Sequence, residues 1–266
     1  MDLNTHTTGD GPPVLLIHGA AEDAGLLDAQ AKAIAARGFR VIWYDRRGTG
    51  GSTRAGWPGA GAPGHADDAA ALLHEQDAAG ATVLGFSSGG VVALALAARH
   101  PGSAGRVIAW EPPALSVLPG GRDLHAEIVA PMDEHLRTHP GDWRGAFHVM
   151  LGVLSGGRAD LSSPAVRRME RNAEAALRDD SPLITLHDFE RGALSPDRVT
   201  VAVGAAPDPL HAEIAERLGD LIGAPPVVVR DADDHEIYLS RPEVLAGFLA
   251  EHAATSAGRH GQNARP

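Results

Sequence analysis

A chain of 266 residues can bury the core of one α/β domain with an insertion, and its 23 basic and 34 acidic residues give a formal net charge of −11. That charge argues against nucleic acid or an anionic membrane as a partner, and no apolar run approaches the roughly 20 residues that span a bilayer. Because the chain has no cysteine and the segment Met1–Asp10 lacks the basic and apolar regions of a signal peptide, we expect a cytoplasmic protein without disulfides or thiolate metal sites.

Short apolar runs of strand type alternate with alanine-rich amphipathic stretches over the first part of the chain. The predicted strands are 14–17, 40–44, 81–86 and 106–110, and the predicted helices are 22–37, 65–79 and 91–98. Strands that alternate with helices at this spacing form parallel βαβ units. The pattern therefore predicts the α/β class, with a doubly wound, mostly parallel sheet flanked by helices.

The alternation stops between residues 114 and 195. This segment predicts helices 123–138, 142–154 and 164–177 with no strand between them, and we interpret it as an inserted helical cap. Alternation then resumes with strands 199–203 and 226–229 and helices 211–221 and 242–252. The predicted core is therefore 1–113 with 196–252, and the polar segment 253–266 is predicted to be a disordered tail.

The sequence Gly85-Phe86-Ser87-Ser88-Gly89 lies between a predicted strand and a predicted helix. A sharp turn at this point forces its central residue toward positive φ, and a Cβ two residues before or after it would collide with the turn. Gly85 and Gly89 remove that collision. Glycines can also serve packing alone, but the flanking strand and helix favour a Ser87 hydroxyl held at a helix N-terminus as a nucleophile.

A neutral serine needs a base to remove its proton and an acid to orient that base. Among 14 histidines, His235 is the best placed, because it lies between the last predicted strand and the last predicted helix. In a parallel sheet, that position is at the same edge as Ser87. We therefore predict that His235 is the base.

Together these motifs resemble those of the α/β-hydrolase superfamily over nearly all of the chain except the tail. The matching segments are the oxyanion-loop motif 18–19, the D-x-R-G-x-G-x-S loop 45–52, the nucleophile elbow 85–89 and the terminal histidine segment 234–243. The resemblance implies that the backbone N–H groups of Ala20 and Ser88 form the oxyanion hole and that no cofactor is needed. It also implies a structural role for the glycine cluster 48–51, and the short leader predicts that the antiparallel strands that usually begin this fold are reduced or missing.

Two residues compete for the role of the acid. Family members commonly carry an Asp three residues after a glycine that ends the strand following the cap, but here Pro207 holds that place and Asp208 follows it. Glu111 ends the strand before the cap, from which some members, the haloalkane dehalogenases among them, supply the acid. Alternatively, Glu111 is a buried residue at the cap hinge and Asp208 a helix N-cap or turn residue. We favour Glu111.

The predicted cap carries two further candidate sites. Trp143 and Phe147 lie on an apolar stripe that could line an acyl or aryl pocket, or equally form the core between cap and sheet. His135 and His139 have the i, i+4 spacing that a metal can use, but a third ligand is missing and Pro140 follows at once. We expect a solvated helix face there and no metal.

The predicted function is hydrolysis of a small or medium carboxylic ester, a small-molecule substrate, through an acyl-enzyme. Serine instead of aspartate at the elbow argues against a dehalogenase or an epoxide hydrolase. A biosynthetic thioesterase or cyclase, or a hydrolase of lactones, amides or C–C bonds, would use the same triad. A ligand-binding module on the same scaffold is the alternative outside enzymes. The substrate and the oligomeric state are not predicted from the sequence.

Overall fold

A computed structural model of the protein describes residues 2–260. Within these residues, seven strands form one sheet in the order β1-β3-β2-β4-β5-β6-β7. The strands are β1 (Thr5–Thr8), β2 (Pro13–Ile17), β3 (Arg40–Tyr44), β4 (Ala81–Phe86), β5 (Ala104–Trp110), β6 (Val199–Gly204) and β7 (Val227–Val229). Strands β2 to β7 pair in parallel, whereas β1 pairs antiparallel with β3. Among the described residues, β1 is the one strand that pairs antiparallel in this sheet.

Helices cover both faces of the sheet. They are α1 (Asp28–Ala35), α2 (Gly61–Glu75), α3 (Ser88–Arg99), α4 (Gly121–Thr138), α5 (Trp143–Ser155), α6 (Pro164–Met169), α7 (Ala173–Ala175), α8 (Pro209–Ile222), α9 (Ile237–Ser240) and α10 (Pro242–His260). Alternate residues along the strands enter two separate cores, because successive side chains of a strand point to opposite faces. Helices α2, α3 and α8 close one core, and α1, α9 and α10 close the other. The predicted α/β class is thereby confirmed.

The helical segment between β5 and β6 covers the range expected for the cap, and this part of the described chain contains no strand. Its third helix differs from the prediction, because the helical conformation after α6 passes through short 3₁₀ and α turns and continues as a π-helix, Ala176–Ile184. A third core, rich in methionine, joins these helices to Ala21 in the loop after β2.

The C-terminal helix also differs from the prediction. Helix α10 continues to His260, so the tail expected from residue 253 begins inside this helix. Residues 253, 254 and 257 are alanines, which have the highest helix propensity of all residues, and this accounts for the difference. Residues 261–266, the rest of the predicted tail, lie outside the described residues. None of the described helices has the length and apolar character needed to cross a membrane.

Candidate active site

Ser87 occupies a sharp turn between β4 and α3. Its backbone has φ 50° and ψ −123°, in the positive-φ range that side chains rarely adopt. A Cβ on Gly85 would lie 2.2 Å from the Gly89 carbonyl oxygen, and one on Gly89 would lie 2.3 Å from the carbonyl oxygen of Ile17 in β2. The two glycines are therefore required by backbone contacts of the turn, one within it and one with the neighbouring strand.

Glu111 repeats this geometry at the end of the next strand. It follows β5 with φ 40°, and its N–H donates to the Ala202 carbonyl at 2.9 Å, just as the Ser87 N–H donates to the Trp110 carbonyl at 2.9 Å. Each positive φ is worth about 1 to 3 kcal/mol of strain. Both residues are held in place by a hydrogen bond to the adjacent strand, and strain of this kind is typical of functional sites.

The Glu111 carboxylate joins the loop that carries His235 to the end of β6. Oε2 lies 2.7 Å from His235 Nδ1, and Oε1 accepts a hydrogen bond from the Gly204 N–H at 2.9 Å. The carboxylate is 3% exposed, and burial alone would raise the pKa of Glu111. The hydrogen bonds and charge of His235 and the Gly204 N–H outweigh burial and hold that pKa below its usual value.

His235 has its Nδ1 engaged by the carboxylate, which makes Nε2 the ring nitrogen that can accept a proton. Burial tends to lower the pKa of His235, but the Glu111 carboxylate outweighs burial and raises it. The Trp110 indole N–H fixes the loop by donating to the His235 carbonyl at 2.8 Å. Among the described residues, Ser87 Oγ makes no hydrogen bond to His235, and such bonds often tighten only when substrate binds.

The loop after β2 brings backbone donors to Ser87. A Cβ on Gly19 would lie 3.3 Å from Ser87 Cβ, and Ala21 turns the loop with φ 59°. The N–H groups of Ala20 and Ser88 donate no hydrogen bond to any group in the described part of the chain. Ser88 is also the first residue of α3, where the helix dipole favours negative charge. These are the two donors that the family resemblance implies.

Glu22 is a buried carboxyl group beside this loop that the sequence did not indicate as part of a site. It is 1% exposed, and its Oε2 accepts from the Gly19 N–H at 2.7 Å while its Oε1 accepts from the Tyr238 hydroxyl at 2.7 Å. The Tyr238 ring stacks on Phe86, with centroids 4.3 Å apart. Burial raises the pKa of Glu22 to about 7. The carboxyl thus links the loop to the elbow and to helix α9.

The helical insertion reaches the site through two further polar residues that sequence reasoning missed. Asp180, in the π-helix, is buried and accepts from Arg46 Nη2 at 2.7 Å and from Ser88 Oγ at 2.6 Å. Asn172 donates its amide to the carbonyls of Ala21 and Glu22 at 3.2 and 3.0 Å. Each of these contacts joins parts of the chain far apart in sequence, so no local pattern indicates them.

Asp208 does not contact His235. Instead it is the N-cap of α8, accepting from the N–H groups of Leu210 and His211 at 3.0 and 3.2 Å, and it pairs with the His211 Nδ1. The His211 hydrogen bond lowers the pKa of Asp208 to about 2. The His211 ring stacks on the His235 ring with centroids 4.7 Å apart. Of the two candidate acids, the structure brings Glu111 to His235 and gives Asp208 the alternative role of a helix cap.

The glycine cluster 48–51 belongs to a loop whose polar groups are satisfied within the fold. Asp45 accepts from the Ala24 and Gly51 N–H groups, both at 2.7 Å. His18 accepts the Arg46 N–H at 2.9 Å through Nε2. Burial, with the nearby Arg46 charge, lowers the pKa of His18 well below its usual value, which keeps it neutral. These contacts fit the structural role expected for the loop.

The two aromatic pocket candidates of the insertion differ in burial. Phe147 is 1% exposed and lies in the core that includes Ala21, whereas Trp143 is half-buried at the edge of that core, with the Arg178 guanidinium 5.8 Å from its ring. A cavity of about 770 Å³ opens between α1 and α6, and neither aromatic residue nor Ser87 lines it. The contacts of Phe147 fit the alternative that it joins the cap to the sheet domain.

The histidine pair at the end of α4 has a local partner. His135 and His139 stack with centroids 4.7 Å apart, and His135 Nε2 lies 2.9 Å from the Asp142 carboxylate. In the described residues, the group of three acidic and histidine side chains close enough to share a metal ion is Glu111, His211 and His235.

Comparison with known proteins relates the sequence of this chain to proteins named as hydrolases. The family described as the alpha/beta hydrolase fold matches residues 12–146. An uncharacterized hydrolase of Bacillus subtilis (strain 168), YraK, is 36% identical over 127 residues, which is 47% of this chain and 46% of the relative. The bifunctional esterase/perhydrolase DCH of Acinetobacter calcoaceticus is 37% identical over 92 residues, 35% of this chain and 33% of the relative. The chain thus spans less than half the length of these curated relatives.

A solved structure resembles nearly the whole fold. The hydrolase olei00960 from Oleispira antarctica aligns with a TM-score of 0.75 at 16% sequence identity, covering 94% of each chain. At that identity the likeness concerns the fold alone.

Proposed function

The chain belongs to the alpha/beta hydrolase fold family, and from that premise we propose that it is a serine hydrolase that cleaves a small or medium carboxylic ester. The observation that carries the proposal is the hydrogen bond of 2.7 Å between His235 Nδ1 and the buried Glu111 carboxylate, at the strand end next to the Ser87 turn. A base, an orienting acid and a nucleophile at one sheet edge form the set that acyl transfer needs.

In the proposed first half-reaction, His235 Nε2 removes the Ser87 hydroxyl proton while Oγ attacks the ester carbonyl carbon. The carbonyl oxygen becomes an oxyanion that the N–H groups of Ala20 and Ser88 stabilise. When the tetrahedral intermediate collapses, the C–O bond to the alcohol breaks and the His235 imidazolium returns the proton to the leaving alcohol. This step leaves Ser87 acylated.

In the second half-reaction, water takes the place of the alcohol. His235 removes a proton from the water, the resulting hydroxide attacks the acyl carbon, and Ser87 leaves with the proton from His235. The Glu111 carboxylate stays ionised throughout, orients the imidazole and stabilises its positive charge. The lowered pKa of Glu111 supports this role, because an ionised carboxylate is needed at neutral pH.

The name of one relative, the bifunctional esterase/perhydrolase DCH, supports an ester as the substrate over a thioester, a lactone or a C–C bond. Thioesters, lactones and C–C bonds would use the same groups and stay as alternatives for the substrate class. A non-catalytic binding module would not need the Glu111–His235 pair, and that pair supports an enzyme over a module.

The experiment is labelling with a fluorophosphonate probe, which reacts with activated serines. We expect the folded wild-type protein to be labelled on Ser87 and to hydrolyse p-nitrophenyl esters, and Ser87→Ala to lose both properties. Ser103→Ala, in the turn after α3, is the matched control and should keep both. Wild-type protein that is folded yet unreactive, or Ser87→Ala with unchanged turnover, would contradict the proposal and favour the binding module.

A further inference from the structure

We propose that Glu111, His211 and His235 form a binding site for a divalent cation of the zinc class, and that a cation bound there blocks hydrolysis. Each of the three side chains offers one ligand atom, and these atoms lie within 4.8 Å of one another. The proposal goes beyond the hydrolase function, since it concerns a cation that excludes catalysis instead of assisting it.

The donor set is the one that zinc prefers. Two imidazole nitrogens and one carboxylate oxygen are common zinc ligands, and harder cations such as Mg²⁺ and Ca²⁺ prefer oxygen ligands. Zinc bonds of about 2.0 to 2.2 Å place tetrahedral ligand atoms roughly 3.4 Å apart. The ligand atoms therefore need to approach by up to about 1.4 Å, and the His235 ring has to turn out of its stack on His211 so that a nitrogen of each ring points at one ion.

His211 has the carboxylate partner that metal-binding histidines usually have. Its Nδ1 is hydrogen-bonded to the Asp208 carboxylate, which the N–H groups of Leu210 and His211 fix at the start of α8. A carboxylate partner of this kind holds the ring and its tautomer and leaves the other nitrogen to the metal. His211 and Asp208 have no assigned part in the proposed hydrolysis, so the cation site gives this second histidine–carboxylate pair a function.

The site is accessible to a cation from solvent. The side chains of His235 and His211 are 30% and 18% exposed, and their rings face each other at a centroid distance of 4.7 Å. The net charge of −11 favours the approach of cations over anions.

Cation binding and catalysis exclude each other, because both use the same two groups. A cation on the Glu111 carboxylate and a His235 nitrogen removes the hydrogen bond that orients the base or occupies the nitrogen that accepts the serine proton. Removing the cation with a chelator should restore activity.

The test combines calorimetry with ester turnover, using ZnCl₂ as the probe on the full chain. Wild-type protein should bind zinc and lose turnover at matching concentrations, and EDTA should restore it. His211→Ala should weaken zinc binding and inhibition at least tenfold, and Asp208→Asn about tenfold to a hundredfold, as is typical for the residue behind a metal ligand. Each variant is compared with its own zinc-free rate.

The matched control is His139→Ala. It disrupts a histidine pair with the same centroid distance of 4.7 Å on the cap, so its zinc affinity should equal that of the wild type. Unchanged binding and inhibition in His211→Ala would overturn the proposal, as would a wild type that binds no zinc. Loss of binding in His139→Ala alone would move the cation to the cap and also overturn it. Calorimetry measures zinc binding without any enzymatic turnover, so failure of the cation site can be distinguished from failure of the proposed hydrolase function.

Discussion

Asp180 Oδ1 accepts the Ser88 hydroxyl at 2.6 Å, and the same oxygen accepts Arg46 Nη2 at 2.7 Å. One carboxylate of the insertion therefore fixes the residue that follows Ser87, the proposed nucleophile, and neutralises the buried Arg46. The Arg46 Nη2 also donates to the Gly19 carbonyl at 2.9 Å, which connects Asp180 to the loop carrying the other proposed oxyanion donor.

We predict that Asp180→Ala destabilises the fold strongly. The change leaves the Arg46 charge buried without its partner, which typically lowers the free energy of unfolding by about 3 to 5 kcal/mol. Urea denaturation measures the loss. Glu174→Ala is the control, because Glu174 pairs with the exposed Arg178 at 2.8 Å and such pairs contribute about 1 kcal/mol or less. An equal decrease in the free energy of unfolding of the two variants would show that the buried Arg46–Asp180 pair stabilises the fold no more than an exposed pair does.

The second prediction separates the two candidate acids. Glu111→Gln should lower kcat by up to about 10⁴ because it no longer holds the tautomer and charge of the His235 ring. Asp208→Asn should cost far less, since Asp208 contacts His211 and the start of α8. Turnover of p-nitrophenyl acetate, with circular dichroism to verify folding, compares them. A larger loss in a well-folded Asp208→Asn would reverse the assignment.

The third prediction concerns Glu22 and pH. Its pKa is about 7 in the folded protein against an ordinary 4.5, so between these values the folded state binds a proton that the unfolded chain has lost. Its contribution to stability is therefore fully present below about pH 4.5 and falls as pH rises to 7 and above, by roughly 3 kcal/mol in total.

Glu22→Gln carries no titrating group at this position and should lack this part of the pH dependence. Urea denaturation of both proteins at pH 5 and pH 8 gives the comparison, in which the stability of the variant relative to the wild type should increase at the higher pH. A difference that stays constant across this range would mean that Glu22 titrates near its ordinary pKa.

The fourth prediction addresses the aromatic residues of the cap. Phe147→Ala should reduce the free energy of unfolding by about 3 to 5 kcal/mol and lower turnover of all p-nitrophenyl esters alike, because the side chain is buried in the core that joins the helical insertion to Ala21. Trp143→Ala, at a half-buried position, should destabilise less. A tenfold change in the ratio of long to short acyl substrates in Phe147→Ala, without loss of stability, would instead make Phe147 a pocket residue.

The strands were predictable from the sequence because a parallel sheet is covered by helices on both faces. Strands β2 to β5 have helices on both faces, so each reads as a nearly continuous apolar run in the sequence. Strand β1 consists of Thr5-His6-Thr7-Thr8 at the sheet edge, and its polar residues resemble a loop. The elbow was predictable for a different reason, since backbone contacts at Gly85 and Gly89 exclude other residues.

The partner of His235 was less predictable, because spacing along the chain does not fix which carboxylate a histidine meets. Asp208 lies between Pro207 and Pro209, and Pro209 is the first residue of α8. Asp208 is therefore the N-cap residue, and its carboxylate accepts hydrogen bonds from the first turn of the helix. Glu22 and Asp180 gave no signal, because acidic residues usually face solvent and each of these two is buried against a side chain far away in sequence, Tyr238 for Glu22 and Ser88 for Asp180.

The contacts of Asn172 bear on how a substrate enters and a product leaves. Its amide nitrogen bonds the carbonyls of Ala21 and Glu22, and its amide oxygen accepts the Gly50 N–H at 3.0 Å. If the helical insertion swung open in every cycle, it would break these bonds and release the loop that carries Ala20, a proposed oxyanion donor. We therefore expect the helical insertion to stay in place during turnover, with substrate and product passing it by movements of side chains. Substrates would then be selected by their shape as they enter, and no closure of the insertion over the bound substrate would be needed.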